Sequence, residues 1–227
     1  IRIIDLGTGT GSNFRFLSKK IKYKNQSWTL MDISKNSLNE TKKNVTINDK
    51  IKKIIIKHDD IIKNIQQNNF TNYDLVTGSA FLDIMPHEWF KKFYLKNINT
   101  KIVYFSINYD GYFKFYPKHR MDKKVLQLFN SDQKSKKNNK TRAVGPDCSN
   151  IIKSYFSKTH KSFLFKSNWT NVKDKNFQLM FLDFCENIIK KNKKNNLLEW
   201  LDFRKDNIFK NKSKLSVSNK DFLAIKV

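Results

Sequence analysis

Asp5-Leu-Gly-Thr-Gly-Thr-Gly-Ser-Asn13 sets three glycines at alternate positions directly behind an apolar run, Ile1 to Leu6. That pattern reads as a buried parallel strand running into a tight turn and then a helix that opens near Ser12. Such a turn aims backbone N–H groups and a helix N-terminus at one spot, which suits a nucleotide-like ligand. The glycine spacing narrows the choice. A dinucleotide loop is G-x-G-x-x-G and, counted from Gly7, needs glycine at position 12, where this chain has Ser12. A carboxylate two residues ahead of Gly7 repels a pyrophosphate but can pair with an ammonium group.

A second acid falls where such a fold would use it. Trp28 to Ile33 reads as the next strand and carries Asp32 at its end, about 20 residues beyond the glycines. A carboxylate at the end of the second strand can accept two hydrogen bonds from the cis-diol of a ribose. Asp32 could instead cap the helix that follows, although Ser34 can do that unaided.

Taken together, Asp5 to Asn13 resembles motif I of the class I S-adenosylmethionine-dependent methyltransferases. The resemblance continues in order. Asp60-Ile61 follows a third strand, Ile51 to Lys57, and is similar to the family's adenine-contacting pair, with Asp59 leaving the register open. Tyr73-Asp-Leu-Val-Thr-Gly-Ser-Ala80 resembles motif IV, and Phe81 to Phe90 the segment lining the cofactor's reactive end. The resemblance implies a single α/β domain over residues 1–227, with a Rossmann-like seven-stranded sheet, mostly parallel with an antiparallel last strand and helices on both faces. It also implies S-adenosyl-L-methionine as cofactor, held by Asp5, Gly7, Thr8, Gly9, Gly11, Asn13, Asp32, Ile33, Asp60, Ile61 and Ser79.

Absences bear on the acceptor. Methylases of exocyclic base amines carry Asn or Asp before Pro-Pro-Tyr at the end of strand four, and this chain has Ser79-Ala-Phe-Leu82 there. It also lacks the Pro-Cys dipeptide of cytosine C5 attack. Cys148 and Cys185 stand far apart, without partners at metal-ligand spacing, so neither a disulfide framework nor a metal site is expected and a cytoplasmic setting is. There is no apolar run of about 18 residues and no signal peptide, so no membrane partner is expected, and because the sequence begins inside a core strand further residues are expected ahead of Ile1.

The net charge of +25 invites a nucleic-acid reading. Only five of the 45 basic residues are Arg, and Lys is spread along the chain beside abundant Asn and Ile, as coding bias in an A/T-rich genome would produce. A nucleic-acid partner is therefore not favoured.

The remaining elements follow from periodicity. Phe14 to Ile21, Ser34 to Asn48, Met85 to Leu95, Asn176 to Lys191 and Leu197 to Ile208 read as helices. Lys101 to Ile107, Phe163 to Phe165 and Phe222 to Val227 read as strands. Residues 108–147 read as an insertion or lid above the strand ends, containing a basic aromatic patch (Tyr112 to Arg120), a helix near Asp122 to Asn130, and a polar tract (Ser131 to Arg142) that ends at Gly145-Pro146. Asp83 with Trp89, Ser106 to Gly111, Leu128 to Asn130 with Gln133, and Gly145-Pro146 resemble a bacterial group of methyltransferases whose substrate is unassigned. The expected function is methyl transfer to a small molecule, with Asp83, His87 and Tyr109 as catalytic candidates and Asp110, Asn130 and Gln133 on the substrate side. An RNA methyltransferase using the basic insertion, or a non-catalytic cofactor-binding module, is the alternative.

Overall fold

Arg2 to Leu6 alternates faces as a strand must: Ile3 packs on one side of the sheet with Phe14, Trp28 and Leu30, and Ile4 and Leu6 on the other with Val76 and Phe105. A strand apolar on both sides belongs in the middle of a covered parallel sheet, and that is its position. A computed structural model describes residues 1–137 and 141–227. The first half of the chain runs β1 (Arg2–Leu6), α1 (Ser12–Lys20), β2 (Gln26–Asp32), α2 (Lys35–Asn44), β3 (Ile51–His58), β4 (Leu75–Ser79), α3 (His87–Lys96) and β5 (Ile102–Tyr116). It continues with α4 (Asp122–Gln133), the short strands β6 (Lys136–Lys137) and β7 (Thr141–Arg142), then α5 (Cys148–Phe156), β8 (His160–Lys166), β9 (Trp169–Val172), α6 (Lys175–Lys191), α7 (Leu198–Phe209) and β10 (Lys214–Lys226). Of the expected polar tract, residues 138–140 lie outside the described residues. No helix among the described residues is long and apolar enough to cross a membrane.

The main sheet has the order β3-β2-β1-β4-β5-β10-β8, with β9 as an eighth strand paired to β10. β1 to β5 are mutually parallel, and β10 runs antiparallel to β5, β8 and β9. This is the expected mostly parallel sheet with an antiparallel last strand, one strand larger. α1 covers one face through Phe14 and Leu17. α3 and α5 cover the other through an aromatic array in which Trp89 stacks on Phe93 at 4.4 Å and Phe93 meets Phe105 and Phe156.

Residues 108–147 depart from the expected insertion. Tyr109, Phe113 and Phe115 are buried while Tyr112, Lys114 and Tyr116 are exposed, which is a strand's period of two. β5 therefore continues for 15 residues, to Tyr116, paired with the front of β10. A kink separates its two halves. Ile107 takes φ 56, and the Asp221 carboxylate accepts from the Ile107 N–H at 2.9 Å, the Tyr104 hydroxyl at 2.8 Å and the Ser167 hydroxyl at 2.6 Å. Beyond the kink, α4, α6 and α7 pack on one side of the β5–β10 ribbon and give it a core of its own, with Phe129, Phe181 and Trp200 against Phe113 and Phe115. Arg204 is fully buried there, paired with Asp122 and lying over the rings of Phe115, Trp200 and Phe203.

Close approach of β4 to its neighbours depends on Gly78. A Cβ there would stand 2.8 Å from the Leu6 carbonyl oxygen and 2.9 Å from the Phe105 ring, both in the sheet interior. Gly78→Ala is expected to cost ~1–3 kcal/mol of stability, read as a lower urea midpoint; an unchanged midpoint would contradict this packing.

Candidate cofactor-binding site

The glycine turn leaves β1 in left-handed backbone, with φ +65 at Gly7 and +56 at Gly9. Gly7 needs its missing side chain for a second reason: a Cβ would lie 2.4 Å from Phe81 Cδ2, because the Phe81 ring rests on the turn. Two neighbouring elements pin Gly9. Its N–H donates to Asp32 Oδ2 at 2.8 Å, and its carbonyl accepts from Thr41 Oγ1 of α2 at 2.7 Å. A Cβ on Gly9 would meet no protein atom within 4 Å, so its outer side faces open space. The loop is thus fixed from behind and open in front, as a cradle for a ligand must be.

Asp5 lies behind the loop. It is fully buried, accepting from the Thr8 hydroxyl and from Asn13 Nδ2, each at 2.7 Å. Through these two bonds it shapes the turn and the start of α1. Asn13 Nδ2 also reaches Thr77 Oγ1 at 3.3 Å, linking the loop to β4. Burial pushes the Asp5 carboxyl up from 3.8 to about 6.

At the end of β2, Asp32 is half-buried. Its two oxygens accept one hydrogen bond each, from Gly9 N–H and from Ser34 N–H, so each keeps a lone pair for a further donor. Ser34 is the N-cap of α2, its hydroxyl accepting from Ser37 N–H, and Asp32 is not needed for that task. Ile33 beside it is 55% exposed, an apolar surface at the mouth of the site, and its carbonyl is bonded to His58 Nε2 at 2.9 Å.

The adenine-contacting pair is changed in detail. Asp59 is held by Lys57, Asn64 and Asn68. Asp60 Oδ1 caps the next turn through the N–H groups of Ile62 and Lys63. Ile61 is buried in the main core, with its carbonyl accepting from Trp89 Nε1 at 3.3 Å. It supports α3 from within.

β4 ends in half-buried Ser79 and exposed Ala80, whose φ of 50 turns the chain toward Phe81. Asp83 follows in a 3-10 turn, Leu82–Ile84, half-buried. His87 is exposed in the first turn of α3 and forms no hydrogen bond or ion pair among the described residues. The remaining candidates are engaged within the protein. Buried Tyr109 donates its hydroxyl to Asn130 Oδ1 at 2.9 Å, and Asn130 Nδ2 donates to the Gly111 carbonyl at 2.8 Å. This chain ties α4 to β5, and burial holds the Tyr109 hydroxyl well above its usual range. Asp110 pairs with Lys220 at 2.7 Å. Gln133 lies against Gly145, where a Cβ would meet it at 3.3 Å. The segment from Ala143 closes against the strand-four side through the Pro86–Ala143 bridge and the Val144 N–H to Met85 carbonyl bond.

No family model and no curated protein sequence matches the chain. Solved structures do. A SAM-dependent methyltransferase from Methanosarcina mazei superposes with a TM-score of 0.54 over 100% of this chain and 92% of that chain, at 10% identity. A mycolic acid cyclopropane synthase complexed with SAH and CTAB gives 0.53 over 100% and 78%, at 11% identity. A cyclopropane synthase from Mycobacterium tuberculosis gives 0.50 over 99% and 78%, at 9% identity. The fold is that of the class I S-adenosylmethionine-dependent methyltransferases.

Within that fold, two positioning residues have only a faint sequence signal. Thr41 is a polar residue three places after Leu38 on the buried side of α2, and Thr77 a buried hydroxyl in an apolar strand; each was visible only as a polar break in a core pattern. The Asp5 carboxyl sets a pH dependence. Because folding raises its affinity for a proton, the ligand-free protein should lose stability as pH rises from about 4 to about 6, on the order of 3 kcal/mol for a shift of about two units. Thermal melts across that window should show a smaller decline in Asp5→Asn than in the wild type; parallel curves would contradict the assignment.

Proposed function

We propose that the chain is an S-adenosylmethionine-dependent methyltransferase acting on a small molecule. The observation that carries the reading is the Gly9 cradle, tied back by Asp32 and Thr41 and open on its outer side. When bound, the cofactor supplies a methyl group already activated on a positively charged sulfur, so the acceptor needs alignment more than activation. The chain's own residues divide that work. Asp32 has acceptor capacity left for ribose hydroxyls, and exposed Ile33 offers the adjoining apolar surface. Asp60 stands at the adenine end with Oδ2 turned outward toward Lys63. α1 has no side-chain cap and no acid in its first turn, so its free N–H groups suit the carboxylate of the methionine part. Asp5, Thr8 and Asn13 hold this geometry from behind.

On the acceptor side, Ser79, Ala80 and Asp83 border the end of β4, with Phe81 as a wall and the 143–146 segment packed against Met85 and Pro86. The packing of this segment beside the strand end supports a compact acceptor over a polymer. Of the catalytic candidates, Asp83 is the one positioned at that border, whereas Tyr109 is committed to Asn130 and His87 faces solvent.

Calorimetric titration tests the reading. S-Adenosylmethionine should bind the folded protein and NAD should not. Gly9→Ala should lower stability by only about 1–2 kcal/mol, since only its left-handed backbone is strained, yet weaken cofactor binding at least tenfold. Failure of a folded sample to bind S-adenosylmethionine would refute the proposal.

A further inference from the structure

Beyond the kink at Ile107, the β5–β10 ribbon has one face buried under α4, α6 and α7 and one face left open. A groove of about 630 Å³ runs along this outer half of β5, lined by Tyr112, Lys114 and Tyr116 of the open face, by Lys118, by Lys123 at the start of α4 and by Lys214 of β10. Its makeup follows from strand geometry. Tyr112, Lys114 and Tyr116 share a face because they are two apart, at steps of about 6.5–7 Å, and register sets Lys214 opposite Tyr116 and Ser216 opposite Lys114. The two tyrosines are 51% and 61% exposed, so their rings lie bare with a lysine between them.

The charge here is not balanced locally. Among the described residues, Lys114, Lys118, Lys123 and Lys214 form no ion pair and no side-chain hydrogen bond. The groove's acid, Asp122, is already taken by Arg204, by Trp200 Nε1 at 2.7 Å and by the His119 N–H at 2.9 Å. Arg120 is paired to Glu199 at 2.8 Å. Four unpaired cations converge around two exposed aromatic rings, in a chain whose other lysines are dispersed. Cations alone would suit any polyanion. Bare tyrosines at a regular step, alternating with a cation, suit a polyanion that carries flat rings along its length.

We propose that this groove binds single-stranded nucleic acid, with bases stacked on Tyr112 and Tyr116 and phosphates met by Lys114, Lys118, Lys123 and Lys214. A duplex is disfavoured because its bases are stacked on each other and unavailable to the tyrosines. The surface is separate from the glycine cradle, and its occupancy does not depend on the methyltransferase reading.

Fluorescence anisotropy on the full chain without cofactor tests it, using labelled ten-nucleotide RNA and DNA single strands and the corresponding duplex at several salt concentrations. Single strands of at least one kind should bind more tightly than the duplex. Tyr112→Ala combined with Tyr116→Ala should weaken single-strand binding at least tenfold without altering the salt slope. Lys114→Gln with Lys214→Gln should flatten the slope of log affinity against log salt by roughly 1.4. Tyr23→Ala, at an exposed tyrosine elsewhere, should change nothing. All these positions are surface-accessible, and circular dichroism would verify folding. Absence of binding, duplex binding as tight as single-strand binding, or a tyrosine double variant that binds like the wild type would each overturn the proposal.

Discussion

Gly9 is held through both its backbone N–H and its carbonyl, by Asp32 at the end of β2 and by Thr41 of α2, and the rest of the site depends on this clamp. A glycine turn is by nature loose, since glycine loses more backbone freedom on folding than any other residue. Here that freedom is removed by groups that approach from the protein side. The outward side stays clear, so any ligand meets a surface already ordered. Binding then does not have to bear the entropy of organising the loop.

Around this clamp, burial has turned several polar groups inward. Asp5 sits at the centre of a small network with Thr8, Asn13 and Thr77 that joins the loop to β4. A carboxyl so deeply buried is costly when charged, and its two hydrogen bonds offset only part of that. Phe81 completes the arrangement from above, joining the glycine turn to the Trp89 and Phe105 aromatic array. Loop, strand ends and hydrophobic core are thereby one mechanical unit.

Much of this was legible in the residues themselves. Glycine spacing, the acid ending β2 and the alternation of β1 to β5 gave the parallel half of the sheet. What the pattern could not separate was a buried acid from a half-buried one, because Asp5 and Asp32 look alike in sequence and only the fold encloses Asp5. The burial of Ile61 was equally silent, since an isoleucine lines a core or a pocket equally well. The continuation of β5 to Tyr116 was written in the Tyr112 to Tyr116 alternation, but its partner, the front of β10, lies about 100 residues away, and pairing at that distance leaves no local trace. Tyr109 and Asn130 belonged together in space without any spacing rule to announce it.

A crystal structure of the protein with S-adenosylhomocysteine would test the central claim most directly. The account predicts ribose hydroxyls on the Asp32 carboxylate, the ligand's backbone against the outer side of Gly9, and Asp5 still enclosed by Thr8 and Asn13. Ligand bound elsewhere, or bound at the loop without touching Asp32, would contradict it.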